Sequence, residues 1–507
     1  MVDEMKNIHK ILGILLSALL CLSAFAACGD SGKKTDAQIT TAAPSGDIET
    51  TDEDGEYVDT RFDNIDFDGR AFRVNTSVDD FDATNANDMI QGTGEEDGDI
   101  VNDAVYKRNL TIEEKLNIKF EYTQTKYTYS DAEANIRKVV MAGDDLYDII
   151  INDVRSLIQL TDENIFCNVA NVPIFDLEKR YWYATTMNDL TIVPNHTYIL
   201  AGDYFADIIK SCHCLFYNKN MCENFYGDPE YIDNLVLDSK WTYENATKVI
   251  NENYADLDGD GKMKEGDRFG MIAHDYWGNL IAFVGSAGIE FLDRSTDPPT
   301  INFNNDRSVA YLEALNNLYH NDGTLVGIKD SADNHLGLNR LFGGGEALMV
   351  VYQRLNDLAL MRNFEFDIGP IPYPKLYESD NHYTSIHDTT EMGAIPITCN
   401  DLAFVTTVIE ALNAETSKTL FPVYYDVALK VKYTTDEHAA KMIDMIHDNF
   451  GSSFSLAYNN ALGDFMLQCF TGPCGKKSND FASVYEKGIS ACEAKLQAMI
   501  EAIESFD

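Results

Sequence analysis

The chain has 507 residues, 45% hydrophobic and 11% aromatic, too apolar for a disordered polymer and too long for a single core. It sets 83 acidic residues against 39 basic ones, a formal net charge of -44. Binding to phosphate backbones or anionic lipid relies on Lys and Arg displacing counterions, so nucleic acid is excluded as a partner and the charge reads as a solubilising exterior.

Lys6 and Lys10 flank the start of an apolar run that reaches Leu22 and ends in Phe25-Ala26-Ala27-Cys28-Gly29. A basic start, a short apolar stretch and small residues before a cleavage point read as a secretory signal over 1–27. The run is too short for a comfortable membrane-spanning helix. Met1-Val2-Asp3-Glu4 places two acids ahead of the basic region, so Met5 is an alternative start. Ala26-Ala27-Cys28 resembles the lipobox of bacterial lipoproteins, with Phe25 where an aliphatic residue is usual. That resemblance implies lipidation of Cys28, and two acyl chains suffice for stable anchoring. Residues 28–60 are Ser, Thr, Asp, Gly and Lys with little to bury, a flexible tether.

Folded sequence follows. Phe72 and Val74 alternate with polar neighbours, a strand. Val101 to Leu116 has helical character. Ile118, Phe120 and Tyr122 alternate again. Ser130 and Glu133 form a capping box for a helix carrying Ile136, Val139 and Val140 up to Gly143. Asp148-Ile149-Ile150-Ile151 reads as a buried strand ending in Asn152-Asp153. Strand and helix in alternation predict an open, mostly parallel sheet. The alternation recurs with a strand at Cys214–Tyr217, a helix after Trp241-Thr242-Tyr243-Glu244 and a strand at Ile301–Phe303. Helices follow around Val309 to Tyr319, Phe404 to Leu412, Asp436 to His447 and Ser483 to Phe506, with Thr434 and Glu437 as another capping box. Gly343-Gly344-Gly345 lacks the Lys-Ser/Thr of a phosphate loop and reads as a turn. After Cys21 and Cys28 eight cysteines remain, without a CxxC pair. Cys469 and Cys474 are close enough for a small disulfide loop, but spacing leaves bridges and free thiols both open.

Several segments, in order, resemble the extracellular solute-binding proteins of carbohydrate ABC importers (family 1). They are Val105-Tyr106-Lys107-Arg108-Asn109, Tyr147-Asp148-Ile149-Ile150, Tyr217-Asn218-Lys219, Lys240-Trp241-Thr242-Tyr243, Asp256 to Gly261, Leu341 to Met349 and Ile368-Gly369-Pro370-Ile371-Pro372. The resemblance spans almost everything past the tether. It implies an α/β fold of two lobes, like a periplasmic binding protein, with interlobe crossing strands and a ligand cleft. Crossings are expected near Asp207–Cys214, Met349–Tyr352 and Thr389–Ile397. The N-terminal lobe is then 61–208 plus 350–392, the C-terminal lobe 209–349 plus 393–507. A monomer that delivers a sugar to permease subunits is the implied partner scheme, with no cofactor.

Ligands in open α/β sheets sit beyond the carboxyl ends of strands, which nominates Asn152, Asp153 and Arg155. Sugars present hydroxyl edges and apolar faces, so aromatic and bidentate polar side chains recognise them. Trp182, Trp277, Tyr352 and Arg354 are candidates on that ground, with Asp203 near the first crossing. Trp241 reads as core or cap.

Asp256-x-Asp258-x-Asp260-Gly261 with the Lys262 carbonyl and Asp267 has the oxygen spacing of a structural calcium loop, although Asp267 stands where a longer Glu gives bidentate closure. A solvated acidic turn is the competing reading. No G-x-S-x-G or HExxH occurs, and Val284 precedes Ser286 where a hydrolase glycine belongs. An enzyme is therefore not expected. The alternatives are a surface glycosidase, whose paired carboxylates an acidic chain always offers, and a non-transport surface binding protein.

Overall fold

The computed structural model describes residues 60–78, 87–126, 129–273, 277–327, 336–386, 390–432 and 437–506. Cys28, the signal segment and the tether lie outside the described residues, as do the side chains of Trp277 and Tyr352.

The strands are β1 (Arg70–Val78), β2 (Ile118–Lys126), β3 (Ile149–Asp153), β4 (His213–Asn218), β5 (Phe269–Ala273), β6 (Leu292–Asp293), β7 (Thr300–Ile301), β8 (Thr324–Val326), β9 (Ala347–Arg354), β10 (Ile368–Ile371) and β11 (Glu391–Ala394). The helices used below are α1 (Ile100–Leu116), α2 (Val154–Ile158), α3 (Ala184–Asp189), α4 (Trp277–Gly285), α5 (Asp306–Tyr319), α6 (Leu402–Glu415), α7 (Glu437–Asp448), α8 (Phe454–Ala457), α9 (Phe465–Gly475) and α10 (Phe481–Glu504).

Two sheets organise the molecule. The first has the order β11-β3-β1-β2, with β1 parallel to β2 and β3 and β11 antiparallel to β3. Ile149, Ile150 and Ile151 are all buried because β3 has neighbours on both edges and packing on both faces. α1 connects β1 to β2. Asp99 starts it by accepting from the N–H groups of Val101 and Asn102, and Asn117 ends it at φ 50°, a left-handed cap that Asn tolerates. Arg108 on α1 is fully buried, yet its guanidinium donates to the carbonyls of Met89 (2.8 Å) and Ile90 (2.6 Å).

The second sheet has the order β10-β4-β9-β5-β8. β4 runs antiparallel to both β10 and β9, while β5 is parallel to β9 and β8. Lys219, just past β4, is buried against Asp233 at 3.0 Å. α9 and α10 pack on α4 and α5 over this sheet. Trp241 is buried, its Nε1 donating to the Pro372 carbonyl, which bears out its reading as a core residue.

The chain passes from the first sheet to the second between β3 and β4, and returns between β10 and β11. It then leaves again through the wide π-type turns of Thr416–Leu420 and Val423–Lys432, after which α7 packs against β10. Two expectations change. Met349–Tyr352 is not a crossing, because β9 pairs along its length with β4 and β5 in the second sheet. For the same reason 350–354 and 368–371 do not belong to the first lobe, whereas α6 does. Phe404 on α6 packs edge-on against Phe67 (4.7 Å) and Phe72 (6.0 Å) beneath β1. Backbone pairing partners, rather than position in the chain, decide lobe membership.

Candidate functional site

At the carboxyl end of β3, Asn152 accepts from the Asp153 N–H and is buried. Asp153 receives the backbone N–H of Arg155 at 2.8 Å and pairs its carboxylate with that guanidinium at 2.9 Å. Glu391 stands directly opposite Asp153 in the β3–β11 register, and Ser77 at the end of β1 donates to Glu391 Oε1. Opposed residues on antiparallel strands project to the same side, so two carboxylates and one guanidinium share this sheet edge. The sequence pointed to Asn152, Asp153 and Arg155. Glu391 and Ser77 were missed, since nothing local marks residues 314 positions apart as partners.

The other candidates do not join them. Trp182 is buried, its Nε1 donating to Glu410 Oε2 at 2.8 Å, and it packs on Phe175. Glu410 also accepts from the Tyr181 hydroxyl (2.6 Å) and pairs with Arg61 (2.8 Å). Trp182 therefore anchors α6 to the first lobe instead of offering a face to a ligand. Asp203 is 4% exposed and accepts from the Tyr183 hydroxyl at 2.8 Å; burial pushes its carboxyl up to about 6. Its carboxylate also hydrogen-bonds with Ser417, near the start of the third crossing. Arg354 is buried at the end of β9, paired in register with His213 of β4.

The two lobes share a buried apolar core, in which Leu157 and Leu190 cluster with Phe454 and Tyr458, and polar groups line part of the boundary. Residues 160–206 pack on the first sheet, with Phe166 bridging Pro396 and Leu200 bridging Gly393. Asp189, at the end of α3, accepts from the Ser452 hydroxyl (2.8 and 3.0 Å) and from the Phe454 N–H (2.9 Å) at the start of α8. Tyr458 donates to the Leu190 carbonyl at 2.6 Å. Arg294, on the β6–β7 hairpin, reaches across to the carbonyls of Asp189 and Thr191. A groove of about 580 Å³ lies here, walled by Asp189 on one side and by Glu290, Arg294, Asn302 and Ser452 on the other. A second groove of about 490 Å³ adjoins it through Glu290 and Asn302 and adds Asn305, Arg307, Asp380 and His382. Such amide, carboxylate and guanidinium walls are suited to hydrogen-bonding hydroxyl groups. None of these wall residues was singled out from the sequence.

In the acidic loop, carboxylate oxygens of Asp256, Asp258 and Asp260 lie within 4.8 Å of one another. The N–H groups of Gly261 and Gly259 donate to Asp256 and hold its carboxyl below the usual range. Both glycines have positive φ, 70° and 74°, which lets the backbone curl around the carboxylate. Lys264 is 2.6 Å from Asp258 and also contacts Asp260, so its ammonium lies among these carboxylates. Asp267 is corrected: it is buried and its two oxygens accept from the N–H groups of Leu257 and Lys264. The N–H of Lys262 donates to Asp260. Three of the four expected carboxylates therefore converge, those of Asp256, Asp258 and Asp260. The eight described cysteines, Cys469 and Cys474 among them, are free thiols.

No protein-family profile matches the chain, and no curated protein matches its sequence. Solved structures do. A cyclic alpha-maltosyl-1,6-maltose binding protein from Arthrobacter globiformis superimposes with a TM-score of 0.54 at 16% identity, over 86% of this chain and 100% of that one. A family 1 extracellular solute-binding protein from Bifidobacterium longum subsp. infantis gives 0.53 at 11%, over 85% and 99%. An ABC transporter solute-binding protein from Thermotoga lettingae, bound with alpha-D-tagatose, gives 0.52 at 10%, over 84% and 100%. The fold is thus the two-lobed α/β fold of periplasmic-binding-protein type.

Proposed function

We propose that this chain is the extracytoplasmic solute-binding component of an ABC importer, tethered through lipidated Cys28, which takes a carbohydrate between its lobes and passes it to the permease. The observation that carries the reading is the pair of α/β lobes linked by three chain crossings, with polar groups gathered along the seam between them. A ligand that drives closure has to contact both lobes, and the seam groove offers walls from each. Its polar lining suits an uncharged, polyhydroxylated chain, and the similar proteins with described ligands bind sugars. Asn152, Asp153, Arg155, Glu391, Trp277 and Tyr352 are the proposed ligand contacts. A structural calcium ion in the Asp256–Asp260 loop belongs to the same proposal, supported by the three convergent carboxylates.

The test is a melting-temperature screen of the mature chain against neutral mono- and oligosaccharides, followed by titration calorimetry on whichever sugar raises it. A positive shift with the sugar recovered intact after hours supports a binding protein. Cleavage of that sugar would instead make the chain a glycosidase, and no shift across the panel would remove carbohydrate as the ligand class.

A further inference from the structure

We infer that Asp189 and the residues that grip it form an interlobe clasp that sets the balance between open and closed forms. The inference rests on the solute-binding reading for its purpose, though not for its geometry. Asp189 lies on the first lobe at the end of α3, whereas all its partners come from the segment that follows the third crossing or from the β6–β7 hairpin. Four residues bond to three consecutive residues of the first lobe. The Asp189 carboxylate takes the Ser452 hydroxyl and the Phe454 N–H, the Leu190 carbonyl takes the Tyr458 hydroxyl, and Arg294 caps the carbonyls of Asp189 and Thr191.

The physical character of the parts differs. Tyr458 is 1% exposed, so losing its bond would strand a buried carbonyl, and burial pushes its phenol well up. Phe454 is equally buried and stacks on Tyr458 at 4.6 Å. Arg294 is exposed at the rim, where guanidinium-to-carbonyl bonds form and break against water at small cost. The clasp thus has a buried root and a solvated rim. Partial burial also raises the Asp189 carboxyl despite its donors. The nearby crossing gives leverage: Ser385, beside the strand that returns to β11, accepts from the Gly451 N–H just before Ser452. Ser452 and Phe454 are thereby tied to the segment that makes the second crossing, so a rotation about the crossings would act on their bonds to Asp189.

If these contacts hold the closed form, they raise the closed fraction, and ligand affinity scales with that fraction. Asp189→Ala and Ser452→Ala are compared with the unaltered chain, with Asp189→Asn as an isosteric control that keeps one acceptor. The clasp predicts a larger radius of gyration by small-angle X-ray scattering for ligand-free Asp189→Ala, a smaller change for Asp189→Asn, and about tenfold weaker binding of the sugar found in the screen. The scattering arm needs no ligand, so a failed sugar screen leaves it decisive on its own. An unchanged radius, with or without a lower melting temperature, would overturn the clasp and make Asp189 an ordinary packing contact. If Asp189→Ala does not fold, Arg294→Ala at the exposed rim takes its place under the same two readouts.

Discussion

Glu410 shows how much a single buried side chain organises. It is fully buried on α6, and three donors from the first lobe converge on it: the Arg61 guanidinium, the Tyr181 hydroxyl and the Trp182 indole. A carboxylate in such a place is stable only because each oxygen is bonded. Removing it takes an acceptor from the Arg61 guanidinium and from the Trp182 indole N–H in a buried place. Glu410→Ala should therefore lower unfolding stability by about 3 kcal/mol, the low end for a buried pair because Arg61 keeps some solvent contact. Trp182→Phe should cost about 1 kcal/mol, the worth of one hydrogen bond, while sugar affinity stays unchanged. Urea unfolding and calorimetry read the two effects separately. A Trp182→Phe chain that keeps its stability and loses affinity would return this tryptophan to the ligand.

Among the elements, the acidic loop behaves as a small independent device between the helix of Tyr243–Glu252 and β5. Its carboxylates face one another with, among the described residues, the Lys264 ammonium as their counterion, so a divalent cation would relieve repulsion that one lysine leaves. If calcium binds the folded loop alone, saturation at a hundredfold excess over Kd stabilises by about 2.7 kcal/mol. Chelator should then lower the melting temperature, Asp258→Ala with Asp260→Ala should abolish that response, and Lys264→Ala should tighten calcium binding. A melting temperature indifferent to chelator would leave the loop an acidic turn held by Lys264.

For the whole molecule, a charge of -44 gives no electrostatic hold on an anionic membrane, so the attachment proposed above would rest on acyl chains at Cys28. Cys28→Ala should move the protein from the membrane fraction to the soluble fraction and abolish diacylglyceryl labelling. Continued membrane fractionation of that variant would place the anchor elsewhere.

What the sequence determined by itself are the features that depend on neighbours a few residues away. Period-two alternation placed β1 and β2, a continuous Ile run placed β3, and apolar spacing placed α1, α5 and α10 within three residues of their ends. The order of motifs carried the two-lobed fold, and spacing alone brought Asp256, Asp258 and Asp260 together. Tertiary structure decided everything that joins distant segments. β9 could be assigned to a lobe only by its pairing with β4, and Trp182 became core because Glu410, 228 residues away, accepts its indole N–H. Asp189 and Ser452 are 263 residues apart, and no local signal distinguishes either from any other surface Asp or Ser. The difference is physical: helix and strand periodicity are imposed within one or two turns of chain, whereas a seam between lobes is made of side chains that meet only after both lobes have folded.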